Sequence, residues 1–223
     1  MDMIAKKITI DVVSDVVCPW CFVGRKRLEQ ALALNPDLDA TVNWRPFQLD
    51  PTIPAKGKDR QRYMQEKFGS SDRIFEVHQQ LTELGGEVGI EFDFEAIQVS
   101  PNTLDAHRLI RWAAQATPNV QDELVGILFS YYFEQGKDIG DRQILLEAAA
   151  EAGLDAAIVE SLLPTDADVV GVRQEIDMAS QVGVRGVPCF ILDQKYAIMG
   201  AQSADVLADA IRQTADGYEP RPA

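Results

Sequence analysis

Cysteine, basic residues and long apolar runs are all scarce in this 223-residue chain, and each shortage closes off a class of protein. Three cysteines are too few to hold a disulfide scaffold together. Twenty-one Lys and Arg face 35 Asp and Glu, a net charge of −14, so no nucleic-acid partner is expected and the acidity reads as solubility. No window approaches the roughly 18 uninterrupted apolar residues of a membrane span. The opening MDMIAKKITIDVV has neither an apolar signal core nor a small-residue cleavage site, so a cytoplasmic setting is expected. Tandem repeats and low-complexity tracts are missing as well. What remains is 46% hydrophobic and 25% charged, the balance of a globular protein built as one large domain or a small one with an insertion.

The ends of the chain read differently from its middle. Ile8–Val13 is a short β-branched run and predicts a buried strand. Phe22–Leu34 places apolar residues on one helical face and closes at Asn35-Pro36. Thr41–Arg45 alternates as a second strand, so the first 46 residues read β-α-β, with a right-handed crossover if the strands are parallel. From Arg60 to about Ala179 the period is helical. Helices are expected over 73–84 (ended by Gly85-Gly86), from an Asn102 cap to Ala116, and over 122–135, 141–152, 155–163 and 166–181. Val187–Leu192 and Lys195–Met199 then read as a hairpin, and Ser203 as the cap of a last helix over 204–214, before a loose tail from Gly217. The order βαβ, helices, ββα predicts an α/β core of residues 1–50 and 180–223, interrupted by an all-helical insertion over 51–179.

Two of the three cysteines form Cys18-Pro19-Trp20-Cys21 at the first strand-to-helix junction. At a helix N-terminus this puts Cys18 at the cap and Cys21 one turn on, near enough for a disulfide. Unpaired first-turn amides and the helix dipole favour a thiolate at the capping position, and the deeper thiol can then resolve a mixed disulfide. Pro19 suits the first turn, where its missing N–H costs nothing, and Trp20 adds an apolar face without a charge. A metal site would need at least two more ligands. Cys189, His78 and His107 supply neither a second CxxC nor a HxxxH, so no metal is expected. Two inert buried thiols are a third reading, which leaves Pro19 between them without a packing reason.

Four stretches carry a family resemblance: SDVVCPWCFVGRKRLEQAL (14–32), WRPFQLDP (44–51), PNTLDAHRLIRWA (101–113) and GVRGVPCFILDQKYAIMGAQ (183–202). Together they resemble the thioredoxin superfamily in its DsbA-like branch, and within that branch the FrnE-like group of dithiol-disulfide isomerases, over essentially the whole chain. The resemblance implies a thioredoxin fold with a helical insertion and a cis Pro188 facing the CxxC. It also implies a Val187 backbone that pairs with an extended substrate. Thiols and disulfides of proteins or small molecules would be the partners, with no bound cofactor and with glutathione as a candidate cosubstrate. The chain departs from the wider pattern at Val12, where thioredoxins and DsbA carry a buried acid that moves a proton from the second cysteine. Asp15 and Asp11 are the nearest acids.

Several residues admit two readings. Cys189 is either a small buried strand residue or a third thiol close enough to modulate the disulfide. His107 is structural or surface-facing on its helix rather than catalytic, and His78 carries no signal. Gln202 and Ser203 occupy the place where related glutathione users hold the γ-glutamyl group, although Ser203 is also a plain helix cap. Phe129, Tyr131, Tyr132 and Phe133 read as core of the helical block rather than as a peptide platform. The leading function is thiol–disulfide exchange through Cys18 and Cys21. A second is a glutathione-dependent isomerase or transferase like the 2-hydroxychromene-2-carboxylate isomerases, which usually carry serine at the position of Cys18. A third is a chaperone or adaptor with the thiols as a redox switch. The oligomeric state is left open.

Overall fold

The computed structural model describes residues 5–117 and 119–217; the tail expected to be loose lies outside them from 218 onward. The chain opens with β1 (Lys6–Ser14), α1 (Pro19–Ala33) and β2 (Leu38–Pro46), and β1 and β2 pair in parallel from Lys6↔Leu38 to Ser14↔Pro46. The middle holds β3 (Lys58–Asp59), α2 (Arg60–Phe68), α3 (Ser71–Glu87), β4 (Val99–Ser100), α4 (Leu104–Ala113), α5 (Val120–Phe133), α6 (Arg142–Glu151), α7 (Ala156–Leu162) and α8 (Val169–Gln181). The end returns with β5 (Cys189–Leu192), β6 (Tyr196–Met199) and α9 (Ala204–Ala215). The main sheet has the order β2-β1-β5-β6, with β5 antiparallel to both neighbours. The first and last segments of the chain therefore share one sheet, and the middle helices are threaded between them.

Side-chain alternation divides the sheet into two faces. Ile8, Ile10, Val12, Phe190 and Leu192 join the large core, where Phe22, Val23 and Leu28 of α1 and Leu207 and Ile211 of α9 cover them. Val13 and Cys189, one residue out of phase, belong to a small cluster on the opposite face with Ala179 and Val184. The large core continues into the middle helices through aromatic contacts. Phe22 stacks on Phe129 at 5.1 Å and Phe92 meets Phe133 edge-on at 5.5 Å. Phe129, Tyr132 and Phe133 are fully buried and Tyr131 nearly so, as expected of a helical core.

Polar ties reinforce that junction. The Arg25 guanidinium of α1 bonds the Asp122 carboxylate of α5 at 2.6 Å, and the Trp44 indole N–H of β2 donates to the other Asp122 oxygen at 3.0 Å. Arg108 of α4, 2% exposed, donates to the carbonyls of Leu162, Leu163, Thr165 and Ala167 and to the Asp105 carboxylate. It thereby pins the loop that follows α7, where Leu163, Thr165 and Ala167 present their carbonyls to it.

The middle departs from the helix-only expectation at three points. Lys58–Asp59 and Val99–Ser100 form a two-residue ladder, too short for alternation to reveal. Helix α3 runs through Gly85 and Gly86 to Glu87. Gly85 serves packing rather than termination, because a Cβ there would lie 2.6 Å from the Phe92 ring. Asn102 does not cap α4 in the usual way. Its side-chain oxygen accepts the Leu104 N–H at 2.9 Å, while Thr103 takes the cap position without a side-chain bond.

Candidate active site

Strand β1 ends in a turn whose geometry sets the cysteines. The Cys18 N–H donates to the Asp15 carbonyl at 2.9 Å, and the Cys18 carbonyl in turn accepts the Cys21 N–H at 3.0 Å. Cys18 is thus the N-cap of α1 in extended conformation, Pro19 is its first helical residue, and Cys21 lies one turn inside. Both thiols are free and buried, Cys18 at 4% and Cys21 at 1% exposure. Their surroundings differ. Cys18 lines a cavity of about 400 Å³, whereas Cys21 faces the core. Burial pushes the Cys21 thiol well above its ordinary value. The hydrogen bond and charge of Cys18 push the same way, while the Ser14 hydroxyl and the Asp15 backbone pull back.

The second half of the chain closes over this pair. The Val187–Pro188 peptide bond is cis, and the Cys18 Sγ stands 3.8 Å from the Val187 carbonyl oxygen. Gly24 permits the approach of this loop to α1, because a Cβ there would sit 2.9 Å from Pro188 Cγ and 3.2 Å from the Phe190 ring. Val187, Pro19 and Trp20 line the cavity. Cys189 does not. It is fully buried on the opposite sheet face, where burial raises its thiol, and it belongs to that packing rather than to the cysteine pair.

Asp15, on the cavity wall, lies against His107, and the two are 1% and 3% exposed. The Asp15 carboxylate accepts the Leu49 N–H at 2.8 Å, and its other oxygen is 3.4 Å from His107 Nε2. That nitrogen is 2.8 Å from the Phe47 carbonyl oxygen, an acceptor, so Nε2 carries the proton and donates it there. His107 is therefore buried rather than surface-facing, and it ties α4 to the loop that follows β2. Gln202 and Ser203 line no part of the cavity. Ser203 accepts the Val206 N–H as the cap of α9, and Gln202 donates to the Met199 carbonyl.

The far wall of the cavity was not visible in the sequence. Beside Phe94 and Tyr132, it takes in Arg60, Tyr63, Met64 and Lys67 of α2 and His78 and Leu81 of α3. These residues lie on ordinary amphipathic helices without local motif, and only the fold brings them together. His78 stacks flat on Phe94 at 4.1 Å, and burial followed by the Arg60 charge pushes its imidazole below the ordinary value. Tyr63 and Tyr132 are each pushed up to about 12, first by burial. Among the described residues, no three His, Cys, Asp or Glu side chains cluster to hold a metal ion, and no helix is long and apolar enough to cross a membrane.

A helix-capping CxxC from the first half of one sheet, met by a cis proline from the second, is the arrangement of the thioredoxin fold, and the helices threaded between the halves are its DsbA-like elaboration. Residues 9–212 match the family model of the DSBA-like thioredoxin domain, and the chain belongs to that family. It is 30% identical over 203 residues to the uncharacterized protein YwbO of Bacillus subtilis (strain 168), covering 91% of this chain and 94% of that one. Among solved structures it is similar to that of a probable DsbA oxidoreductase from Streptomyces coelicolor. That match has a TM-score of 0.86 at 29% identity, over 97% of this chain and 93% of the other. The fold is also shared with the cytosolic disulfide reductase DsbM of Pseudomonas aeruginosa, solved with GSH. There the TM-score is 0.62 at 15% identity, over 94% and 98% of the two chains.

Proposed function

We propose that this protein is a thiol–disulfide oxidoreductase and isomerase that exchanges disulfides through Cys18 and Cys21. The observation that carries this reading is the asymmetry of the pair. Cys18 sits at a helix N-cap on the cavity wall, and Cys21 sits one turn deeper with its thiol pushed well up by burial. The outer sulfur, on the cavity wall, attacks a substrate disulfide. The inner one holds its proton until the mixed disulfide forms, then releases it and displaces the substrate. The Val187 backbone and Pro188 hold the substrate segment against Cys18. Protein or small-molecule thiols and disulfides are the partners, and glutathione is a candidate cosubstrate. In a reducing cytoplasm, reduction or isomerisation prevails over net oxidation. An isomerase of the hydroxychromene type would use the same cleft, but the cysteine at position 18 supports redox chemistry instead.

The test is equilibration of the protein in glutathione redox buffers, followed by alkylation and counting of free thiols by mass. A reversible two-electron couple is expected, lost in Cys18→Ser and kept in Cys189→Ser, and its potential relative to the cytosolic poise gives the direction of catalysis. A pair that forms no disulfide anywhere in the accessible range overturns the reading.

A further inference from the structure

The cavity beside Cys18 holds more polar capacity than its own contacts use. Its volume of about 400 Å³ suits a small molecule. Four charged side chains line it: Arg60, Lys67, Asp15 and Asp50. Three of them are engaged. Asp15 is held by the Leu49 N–H and lies beside His107, Asp50 accepts the Thr52 N–H and hydroxyl, and Lys67 donates to the Tyr63 hydroxyl at 3.3 Å. Arg60 is not. Its one side-chain hydrogen bond among the described residues is a long 3.5 Å contact to the Ser100 hydroxyl, its face lies over the Tyr132 ring at 6.0 Å, and no carboxylate pairs with it there. A second, independent observation lies on the neighbouring helix. His78 Nε2 is buried and has no hydrogen-bond partner among the described residues, while the ring itself is fixed against Phe94. A buried imidazole nitrogen left unpaired is costly, and a guanidinium with open donors is the group best shaped to take a carboxylate.

We propose that the cavity selects small disulfides whose apolar body carries a carboxylate, with Arg60 and His78 receiving the carboxylate and Trp20, Phe94 and Tyr132 receiving the body. The proposal rests on the dithiol reading above and narrows its substrate class. Cys18, as thiolate, attacks the sulfur of the cavity-bound half. The substrate S–S bond breaks, a Cys18–substrate S–S bond forms, and the other half leaves as a thiolate. Cys21 gives its proton to solvent and attacks Cys18 Sγ, and the bound half leaves as a second thiolate. The substrate gains two electrons and the Cys18–Cys21 pair loses them. A low-molecular-weight thiol restores the dithiol.

The test follows a single oxidation of the pre-reduced full chain by two aromatic disulfides, bis(carboxynitrophenyl) disulfide and the uncharged dipyridyl disulfide. Each rate is divided by that of free dithiothreitol with the same reagent, to remove intrinsic reactivity. The wild type is expected to favour the carboxylated reagent. Loss of the charged donor in Arg60→Gln should lower that preference by about tenfold. Arg60→Lys should restore most of it, and His78→Phe, which keeps the stacking, should lower it by about threefold. Equal corrected wild-type rates for the two reagents, or an unchanged preference in Arg60→Gln, overturns the proposal while leaving the dithiol reading standing. A wild type that forms no Cys18–Cys21 disulfide with either reagent overturns both.

Discussion

The two parts of the helical middle are attached to the sheet in different ways. Helix α5 is fused to it and α4 is tied to α5: Phe22 of α1 stacks on Phe129, Arg25 and Trp44 share Asp122, and Gln121 bonds both the Trp44 backbone and the Ile110 carbonyl, while Arg108 of α4 anchors the loop after α7. Helices α2 and α3 form a flap with a small core of their own, Ile53, Tyr63 and Met64 with Phe68 and Ile74 against it, reached through the two-residue β3–β4 ladder. The cavity lies between the CxxC and this flap. Apart from Tyr132, which α5 contributes to the cavity, α2 and α3 touch the substrate space and α4 does not, so a substitution away from Tyr132 should report either stability or substrate contact.

The sharpest way to break that comparison is to remove Arg108. Arg108→Ala empties a fully buried site and removes the donor from the Leu163 and Ala167 carbonyls, which should cost about 3 kcal/mol in denaturant unfolding. Activity per folded molecule should be unchanged, because Arg108 touches nothing in the cavity. Met64→Ala makes the opposite test in the flap. Its cluster is small and can collapse, so a loss near the lower limit for such truncations is expected, about 2 kcal/mol, with a raised KM for disulfide substrates. If Met64→Ala destabilises as much as Arg108→Ala, the flap is part of the fused block.

The smallest expected effect separates the two sheet faces. Burial raises the thiols of both Cys21 and Cys189. The unfolded chain releases these protons near the ordinary value of 9.0 while the folded, reduced protein retains them. Stability is therefore full below that pH and falls above it. Cys189→Ala should flatten the fall between about pH 8 and 10, measured by unfolding at a series of pH values, and leave thiol–disulfide exchange intact. A loss of exchange would return Cys189 to the site.

Much of this was legible locally. The strands declared themselves because the β-branched run at 8–13 and the apolar run at 187–192, of which 189–192 is the strand, are short and bounded, and Cys18 could be set at the helix cap because CxxC with an internal proline fits few other positions. The resemblance, not the spacing, supplied the cis proline. The flap wall was illegible for a physical reason. Arg60 and His78 gain their meaning from what lies across the opening, and no residue near either in sequence records that. The same limit explains Gly85, where a distant Phe92 ring overrides a local stop signal, and Cys189, whose face is set by strand register rather than by its closeness to Pro188.

The contact between Cys18 and Val187 spans 169 residues. Synthesis at about 5–20 residues per second therefore leaves Cys18 without Val187 for roughly ten to thirty seconds on the ribosome. Over that interval β1 can pair with β2, but its other edge waits for β5. The nascent chain thus carries a helix-capping dithiol beside an open strand edge, and the Val187–Leu192 segment that covers both is made only after the whole helical middle.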